Sequence, residues 1–102
     1  IKENISVSEI RIMPEIYSSK RSIQNANRIT EVEISFFDKN NKLIKKAIKT
    51  INIREYYSLL TKKNYITIFK DDEFLCKSIS IKIKKRTNEN EKIVLNDIEI
   101  IR

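Results

Sequence analysis

The sequence contains no glycine, histidine or tryptophan, and it has a single proline and a single cysteine. Without histidine, the commonest general base and metal ligand is missing. Without glycine, no glycine-rich phosphate-binding loop can form, and turns must be built from Asn, Asp and Ser, which tolerate a left-handed backbone. One cysteine can form neither an internal disulfide nor, without histidine, a zinc site. These absences predict a non-catalytic protein with no cofactor and no metal.

Long apolar runs are missing as well. No run approaches the ~18–20 residues that cross a bilayer, so we expect no membrane span. Cys76 lies in the strand-like stretch FLCKSISIKI, where a buried thiol would pack like a small apolar residue. A chain of 102 residues, 40% of them hydrophobic, fits one domain with one modest core. Because it starts at Ile1 and not at Met, we expect residues 1–102 to be a single domain of a longer or processed chain.

What the chain has in excess is positive charge, with 21 Lys and Arg against 14 Asp and Glu, or +7. This balance favours polyanionic partners such as nucleic acid, anionic lipid or acidic glycan. The codon usage of an AT-rich genome would enrich lysine without any partner. The lysines form two strips, at residues 39–49 and 82–86. Both strips could contact phosphates, but lysine also keeps edge strands from pairing with other chains. We favour edge protection, which leaves nucleic acid a disfavoured partner.

Alternation of apolar and polar residues predicts about six strands and at most short helices. The clearest strand is 29–37, where Val32, Ile34 and Phe36 share one face. Residues 5–13 change phase at Ser8–Glu9, which indicates a bulge. The full set of predicted strands is 5–13, 29–37, 43–49, 64–69, 74–84 and 92–101, with Ile51 and Ile53 extending or following the third.

The connections differ in character. Residues 14–28 read as a long loop, with or without a short helical turn, and 54–63 have a short helical spacing. Residues 38–42 read as a hairpin turn, 70–73 (KDDE) as a turn and 85–91 as a polar loop. The acidic triplet at 71–73 could bind calcium through oxygen, but a solvated turn is the favoured interpretation.

Half-polar strands separated by such turns predict an all-β fold, an antiparallel β-sandwich. The alternative, a ferredoxin-like α+β fold, needs two long amphipathic helices, and only 54–63 approaches one. The sandwich requires two apolar sets to point inward from facing sheets: Val32, Ile34, Phe36, Ile79, Ile81 and Ile83. If successive strands run antiparallel, the loops 14–28, 50–63 and 85–91 share one end, and the turns 38–42 and 70–73 share the other. Long loops at one end of a β scaffold are the usual place for a binding site.

Two stretches carry a family resemblance. IRIMPEIYSSKRSIQNANRITEVEISFFDKNNK has a tyrosine-containing loop, then Asn27–Arg28, a strand and an Asp-containing turn. KSISIKIKKRTNENEKIVLNDIEI pairs a basic strand with a polar loop and a terminal strand. Together, across roughly 5–101, they resemble the NADase-type glycan-binding domain, which has a discoidin-like, galactose-binding-domain-like fold. Tyr17 falls near the family's loop tyrosine, and 95–99 match its terminal strand. Ala26 stands where the family has its first Asn, and the glycine before the tyrosine is replaced.

The resemblance implies a jelly roll of eight strands, of which this chain would supply the later ones or form a reduced variant. It implies a carbohydrate-binding, lectin-like module of a secreted or surface bacterial protein, with a glycan and neighbouring domains as partners. Sugar sites combine aromatic faces with planar polar groups. The candidate ligand-binding residues are Tyr17, Asn25, Asn27, Arg28, Tyr56 and Tyr57.

Two other functions stay open. The chain could be a structural or protein-interaction module that positions a neighbouring domain. It could also bind polyanions through its lysine strips. For Arg28 itself, a structural clamp that donates hydrogen bonds to backbone carbonyls is as plausible from the sequence as a ligand contact.

Overall fold

The computed structural model describes residues 4–61, 63–93 and 95–102. Within them lie six strands and three short helical segments. The strands are β1 (Ile5–Pro14), β2 (Ile29–Phe37), β3 (Leu43–Thr50), β4 (Ile66–Cys76), β5 (Ser78–Arg86) and β6 (Leu95–Ile101). The helices are α1 (Lys20–Asn25) and α2 (Ile53–Tyr57), and a 3₁₀ turn follows at Ser58–Leu60. No helix among the described residues is long and apolar enough to cross a membrane.

The strands form two antiparallel three-stranded sheets packed as a sandwich, which confirms the predicted all-β class. The first sheet has the order β4-β1-β6 and the second the order β3-β2-β5. The core between them is apolar, with Ile10, Ile34 and Phe36 fully buried. The ring centroids of Phe36 and Phe69, which belong to opposite sheets, lie 4.7 Å apart.

The two apolar sets that should have faced each other belong instead to one sheet. Ile79, Ile81 and Ile83 lie directly beside Phe36, Ile34 and Val32 in the β2–β5 pairing. The prediction of facing layers was therefore wrong, although Val32, Ile34 and Phe36 do point inward. The facing layer comes from β1 and β4, through the buried side chains of Val7, Ile10, Ile12, Ile66, Ile68 and Phe69. Directly opposite residues of an antiparallel pair share a face, so both trios lie on the same side of their sheet.

The chain makes its turns and caps with the residues that replace glycine. Asn41 adopts a positive φ of 62° in the 38–42 turn, and the Asp38 carboxylate accepts bonds from the Asn40 and Lys42 amides at 2.8 and 3.0 Å. Ser19 caps α1 and Asn52 caps α2. β3 ends at Thr50 and Asn52 caps α2, so of the two predicted alternatives Ile51 and Ile53 follow the third strand.

The predicted turn at 70–73 is wrong, because these residues lie inside β4, where its pairing with β1 shifts register. The chain instead turns at Lys77, a single residue between β4 and β5, whose amide donates to the Phe37 carbonyl at 2.8 Å. That bond places the corner beside the hairpin 38–42. The phase change in β1 is confirmed as a register shift between Val7 and Glu9.

A polar cluster on the outer face of the first sheet ties its strands together. Arg11 donates to Glu9 at 2.9 Å and to Glu99 at 3.4 Å, and its guanidinium lies 3.9 Å from the Tyr65 ring centroid. Hydrogen bonds from Arg11 and then from Thr67 lower the pKa of Glu9 to about 2. Because Glu9, Thr67 and Glu99 belong to different strands, the cluster connects β1 to both of its neighbours.

Candidate functional site

Three connections gather at one end of the sandwich, as predicted. We call this end the loop rim: residues 15–28, 51–61 with 63–65, and 87–93. Arg28 and Thr87 exchange two bonds, from the Thr87 amide to the Arg28 carbonyl at 2.9 Å and from the Arg28 amide to the Thr87 hydroxyl at 2.8 Å. Gln24 of α1 donates to the Tyr57 hydroxyl of α2 at 2.9 Å. These bonds place all three connections side by side.

Asn27 joins two parts of the rim. Its amide nitrogen donates to the Glu91 carbonyl at 3.0 Å, and its amide oxygen accepts from the Asn88 amide at 2.8 Å. Both ends of the side chain are thus hydrogen-bonded to backbone more than 60 residues away in sequence. Asn27 fixes the 87–93 loop against the start of β2.

We expect Asn27→Ala to lower the free energy of unfolding by about 1–1.5 kcal/mol, because it leaves backbone groups of the 87–93 loop without their partners. Urea denaturation measures this change. The matched control is Asn25→Ala, because Asn25 is exposed at the end of α1, and it should change stability by less than about 0.5 kcal/mol. Equal effects of the two substitutions would contradict the assigned role of Asn27.

Tyr56 is buried at the centre of the rim, with 1% of its surface exposed. Its hydroxyl accepts from the Ile29 amide at 2.9 Å and donates to the Ile29 carbonyl at 3.1 Å. Burial raises the pKa of the Tyr56 phenol. Its ring meets the Tyr17 ring edge-on, with centroids 6.0 Å apart. The buried Tyr56 therefore supports the loop rim, and the more exposed Tyr17 packs against its ring.

Arg28 lies beside these two tyrosines, with its guanidinium carbon 5.9 Å from the Tyr56 ring centroid. Its Nε and Nη1 atoms are buried and have no hydrogen-bond partner among the described residues. A clamp would donate from these atoms to backbone carbonyls, and the structure does not show those bonds. Leaving buried donors unmatched costs about 1–3 kcal/mol. The rim bonds of Asn27 and Thr87 do not use the Arg28 side chain.

Tyr17 is half-buried at the edge of a pocket of about 260 Å³. The pocket is lined by Pro14, Glu15, Ile16, Tyr17, Leu59 and Asn64. Burial, followed by the nearby charge of Glu15, raises the pKa of Tyr17 to about 12, while the Arg28 charge acts in the opposite direction. The pocket thus combines an aromatic ring, a carboxylate and an amide. Glu15 and Asn64 were not predicted as site residues, although Glu15 lies in the predicted loop 14–28 and Asn64 begins the predicted strand 64–69.

Tyr57 and Asn25 lie elsewhere on the rim. The Tyr57 hydroxyl accepts the Gln24 bond, and the Lys20 ammonium lies 5.1 Å from its ring centroid. Tyr57 borders a separate open pocket of about 360 Å³ together with Arg54 and Leu60. Of the six predicted residues, the structure brings Tyr17, Arg28 and Tyr56 together and separates the other three from that group.

Carboxylates accompany several lysines of the first strip. Lys45 pairs with Asp71 at 3.4 Å, Lys46 with Glu33 at 3.7 Å and Lys49 with Glu55 at 2.9 Å. The Lys45 ammonium also lies 5.1 Å from the Phe74 ring centroid. These three lysines form ion pairs with nearby carboxylates. The first strip therefore presents less unpaired positive charge than the sequence suggests.

The second strip occupies an edge strand, the position in which lysine prevents unwanted pairing. Lys82 lies opposite Glu33 and Lys85 opposite Glu31, while Lys84 is the extra residue of a bulge.

The acidic triplet lies within β4, at the register shift of its pairing with β1. Asp71 pairs with Lys45, and the Glu73 carboxylate accepts from the Ser6 hydroxyl at 3.1 Å. Across residues 4–61, 63–93 and 95–102, no group of three or more Cys, Asp or Glu side chains is arranged to hold a metal ion. Cys76 is buried as predicted, and burial raises the pKa of its thiol.

Comparison with known proteins gives no relative for this chain. No protein-family model matches it, and no curated protein or solved structure gives a significant match. The resemblance to the NADase-type glycan-binding domain therefore stays a prediction from the sequence motifs.

Proposed function

We propose that the chain is a non-catalytic carbohydrate-binding module of a secreted or surface bacterial protein, with Tyr17 and Arg28 at its ligand site. The observation that carries the proposal is the position of Tyr17. This residue lines the 260 Å³ pocket, and its ring contacts the Tyr56 ring. Beside that ring, Arg28 has two buried donors without a partner among the described residues.

The chemistry of this pocket suits a sugar. Carbohydrates pack an apolar ring face on an aromatic side chain and direct their hydroxyls to planar polar groups. Tyr17 offers the ring, and Glu15 and Asn64 offer the polar groups. The volume of about 260 Å³ is slightly below the range of roughly 300–1,000 Å³ for ligand pockets, which favours a single sugar unit. Arg28 would add its donors when the ligand displaces the groups that cover it.

The family resemblance gives independent support, because the family's loop tyrosine and Asn-Arg pair correspond to Tyr17, Asn27 and Arg28. Of these three, the Asn27 side chain is bonded to backbone, whereas Tyr17 lines the pocket and Arg28 lies near the Tyr56 ring that Tyr17 contacts. The jelly roll of that family has two strands more than the six of the described residues. They would come from a longer chain, or the fold would be a reduced variant.

A glycan array probed with the purified protein tests the proposal, followed by calorimetric titration of any sugar it identifies. We expect Tyr17→Ala and Arg28→Ala each to weaken binding about tenfold or more, since 1.4 kcal/mol of lost contact corresponds to tenfold. Arg21→Ala is the matched control, because Arg21 is exposed on α1. Circular dichroism must show that both variants remain folded. The proposal would be wrong if the array shows no bound glycan, or if both variants keep wild-type affinity.

A second candidate, a protein-interaction module, is favoured by one observation: large apolar side chains are exposed on several strands. Ile48 is 62% and Leu75 54% exposed. Ionic strength distinguishes polyanion binding from glycan binding, because affinity for a polyanion falls steeply with added salt. Polyanion binding should also survive Tyr17→Ala.

A further inference from the structure

Core-facing isoleucines are left partly uncovered on one side of the sandwich. Ile98 and Ile100 of β6 lie opposite the buried Ile12 and Ile10 of β1, so they face the interior. They are nevertheless 40% and 41% exposed. Ile83 of β5 lies opposite the buried Val32 and is 37% exposed. The interior is therefore incompletely covered along these two strands.

These two strands are free edges on the same side of the molecule. β6 is an outer strand of the first sheet and β5 of the second. At the opposite edges, Lys45 of β3 pairs with Asp71 of β4, and Lys49 and Thr67 of the same two strands line one pocket. These contacts join residues 45–49 of β3 to residues 67–71 of β4, so along this part of the sandwich β5 and β6 bound the other side, while at the far end Lys77 links β4 directly to β5. β5 and β6 each carry a row of unpaired backbone groups along the outer edge among the described residues, which is a template for another strand.

The outer faces of these edges carry opposite charge. β6 has Asp97 and Glu99 opposite Met13 and Arg11 of β1. β5 has Lys82 and Lys85 opposite Glu33 and Glu31 of β2, with Lys84 in the bulge between them. Two β5 edges would bring lysines together, and two β6 edges would bring carboxylates together. A β5 edge against a β6 edge joins opposite charges, so charge selects the mixed pairing.

We propose that a second copy of this chain covers this side, with β6 of each copy paired antiparallel to β5 of the other about a two-fold axis parallel to the strands. Within one copy, β5 runs towards the loop rim and β6 away from it, so rotation about this axis keeps them antiparallel. The rotation also places the first sheet of one copy in line with the second sheet of its partner. Both sheets then become six-stranded, and the interface closes on itself, as a symmetric dimer requires.

One register brings four complementary pairs of side chains together along the shared edge. Ile98 meets Ile83 of the partner subunit, and Glu99 meets the partner's Lys82. The same register brings Ile100 to the partner's Ile81 and Asp97 to the partner's Lys84. The exposed isoleucines are thus buried against each other on the core face, while acid–base pairs form on the outer face. The backbone groups of both edges gain partners in the same step.

Charge reversal at the Asp97–Lys84 pair tests this arrangement, because neither residue forms an ion pair among the described residues. Sedimentation equilibrium should show a dimer whose dissociation constant rises about tenfold or more in Lys84→Glu and in Asp97→Lys, since each change acts twice in a two-fold dimer. Mixing the two single variants should restore the wild-type dissociation constant, because both contacts in the mixed dimer again join opposite charges. Lys39→Glu, an equal change of charge in the hairpin turn, should have no effect.

The mixing result is specific to β5–β6 exchange, since no other pairing of the two edges restores both contacts at once. At about 1 mM, a dimer with a binding free energy near 4 kcal/mol would be detected. If the wild-type protein stays monomeric at that concentration, the proposal is overturned. The free edges would then be left to a strand of a different protein. A dimer that is indifferent to both reversals would overturn it equally.

Discussion

Phe36→Ala should lower the free energy of unfolding by about 3–5 kcal/mol, the usual cost of removing a buried aromatic side chain. Phe36 has no exposed surface. Its ring centroid lies 4.7 Å from that of Phe69 and 4.8 Å from that of Phe74, both on the opposite sheet. The cavity left by alanine would open between the two layers, where relaxation is limited on both sides. Urea denaturation followed by circular dichroism measures the change.

The neighbouring residue provides a matched control. Phe37 is the same side chain one position further along β2, where it points to the opposite face and is only half-buried. Phe37→Ala should therefore cost less than half as much as Phe36→Ala. If both substitutions cost the same, the assignment of inner and outer faces along β2 would be wrong.

That pair also shows why part of the fold could be predicted. In β2 the buried and less buried residues alternate strictly from Val32 to Phe37, so the period of two is visible in the sequence itself. The hairpin turn was visible for a similar reason, because Asp38 and Asn41 satisfy its backbone locally. Where a structure depends on near neighbours in the chain, the sequence contains the information.

β4 shows where this information ends. Residues 70–73 are polar and resemble a turn, but Asp71 reaches Lys45 on the other sheet and Glu73 contacts Ser6 on β1. Both partners are distant in the chain, so no local pattern announces them. The corner at Lys77 needs one residue and no glycine, and thus has no turn signature. The pairing of β2 with β5, which put two apolar trios in one sheet, was hidden for the same reason.

The same distinction between local and long-range features applies to the candidate site. The sequence predicted the gathering of the loops and placed aromatic and polar residues there, and the structure confirms that gathering. It could not assign individual roles, because Asn27 is occupied by backbone groups of residues 88 and 91 and Tyr56 by those of Ile29. Residue type and loop position are local properties, whereas hydrogen-bond saturation is a property of the folded chain.

We expect Tyr56→Phe to lower the free energy of unfolding by about 2 kcal/mol, within the roughly 1–3 kcal/mol that an unmatched buried polar group costs. The substitution removes one oxygen that both accepts from the Ile29 amide and donates to the Ile29 carbonyl. Tyr56 is buried, so water cannot readily take the place of the lost hydroxyl. The change is measured by urea denaturation. Tyr65→Phe is the control, because the Tyr65 ring is only half-buried and contacts Arg11 through its face.

The same variant separates support from ligand contact at the loop rim. Phenylalanine keeps the ring that meets Tyr17 edge-on and lies 5.9 Å from the Arg28 guanidinium. If Tyr56 only supports these residues, glycan affinity per folded molecule should remain within about twofold of wild type, a difference of roughly 0.4 kcal/mol. A larger loss of affinity in folded Tyr56→Phe would show that the hydroxyl reaches the ligand, which requires the Ile29 bonds to open on binding. The Tyr17 pocket would then be one part of a site that forms only when the sugar arrives.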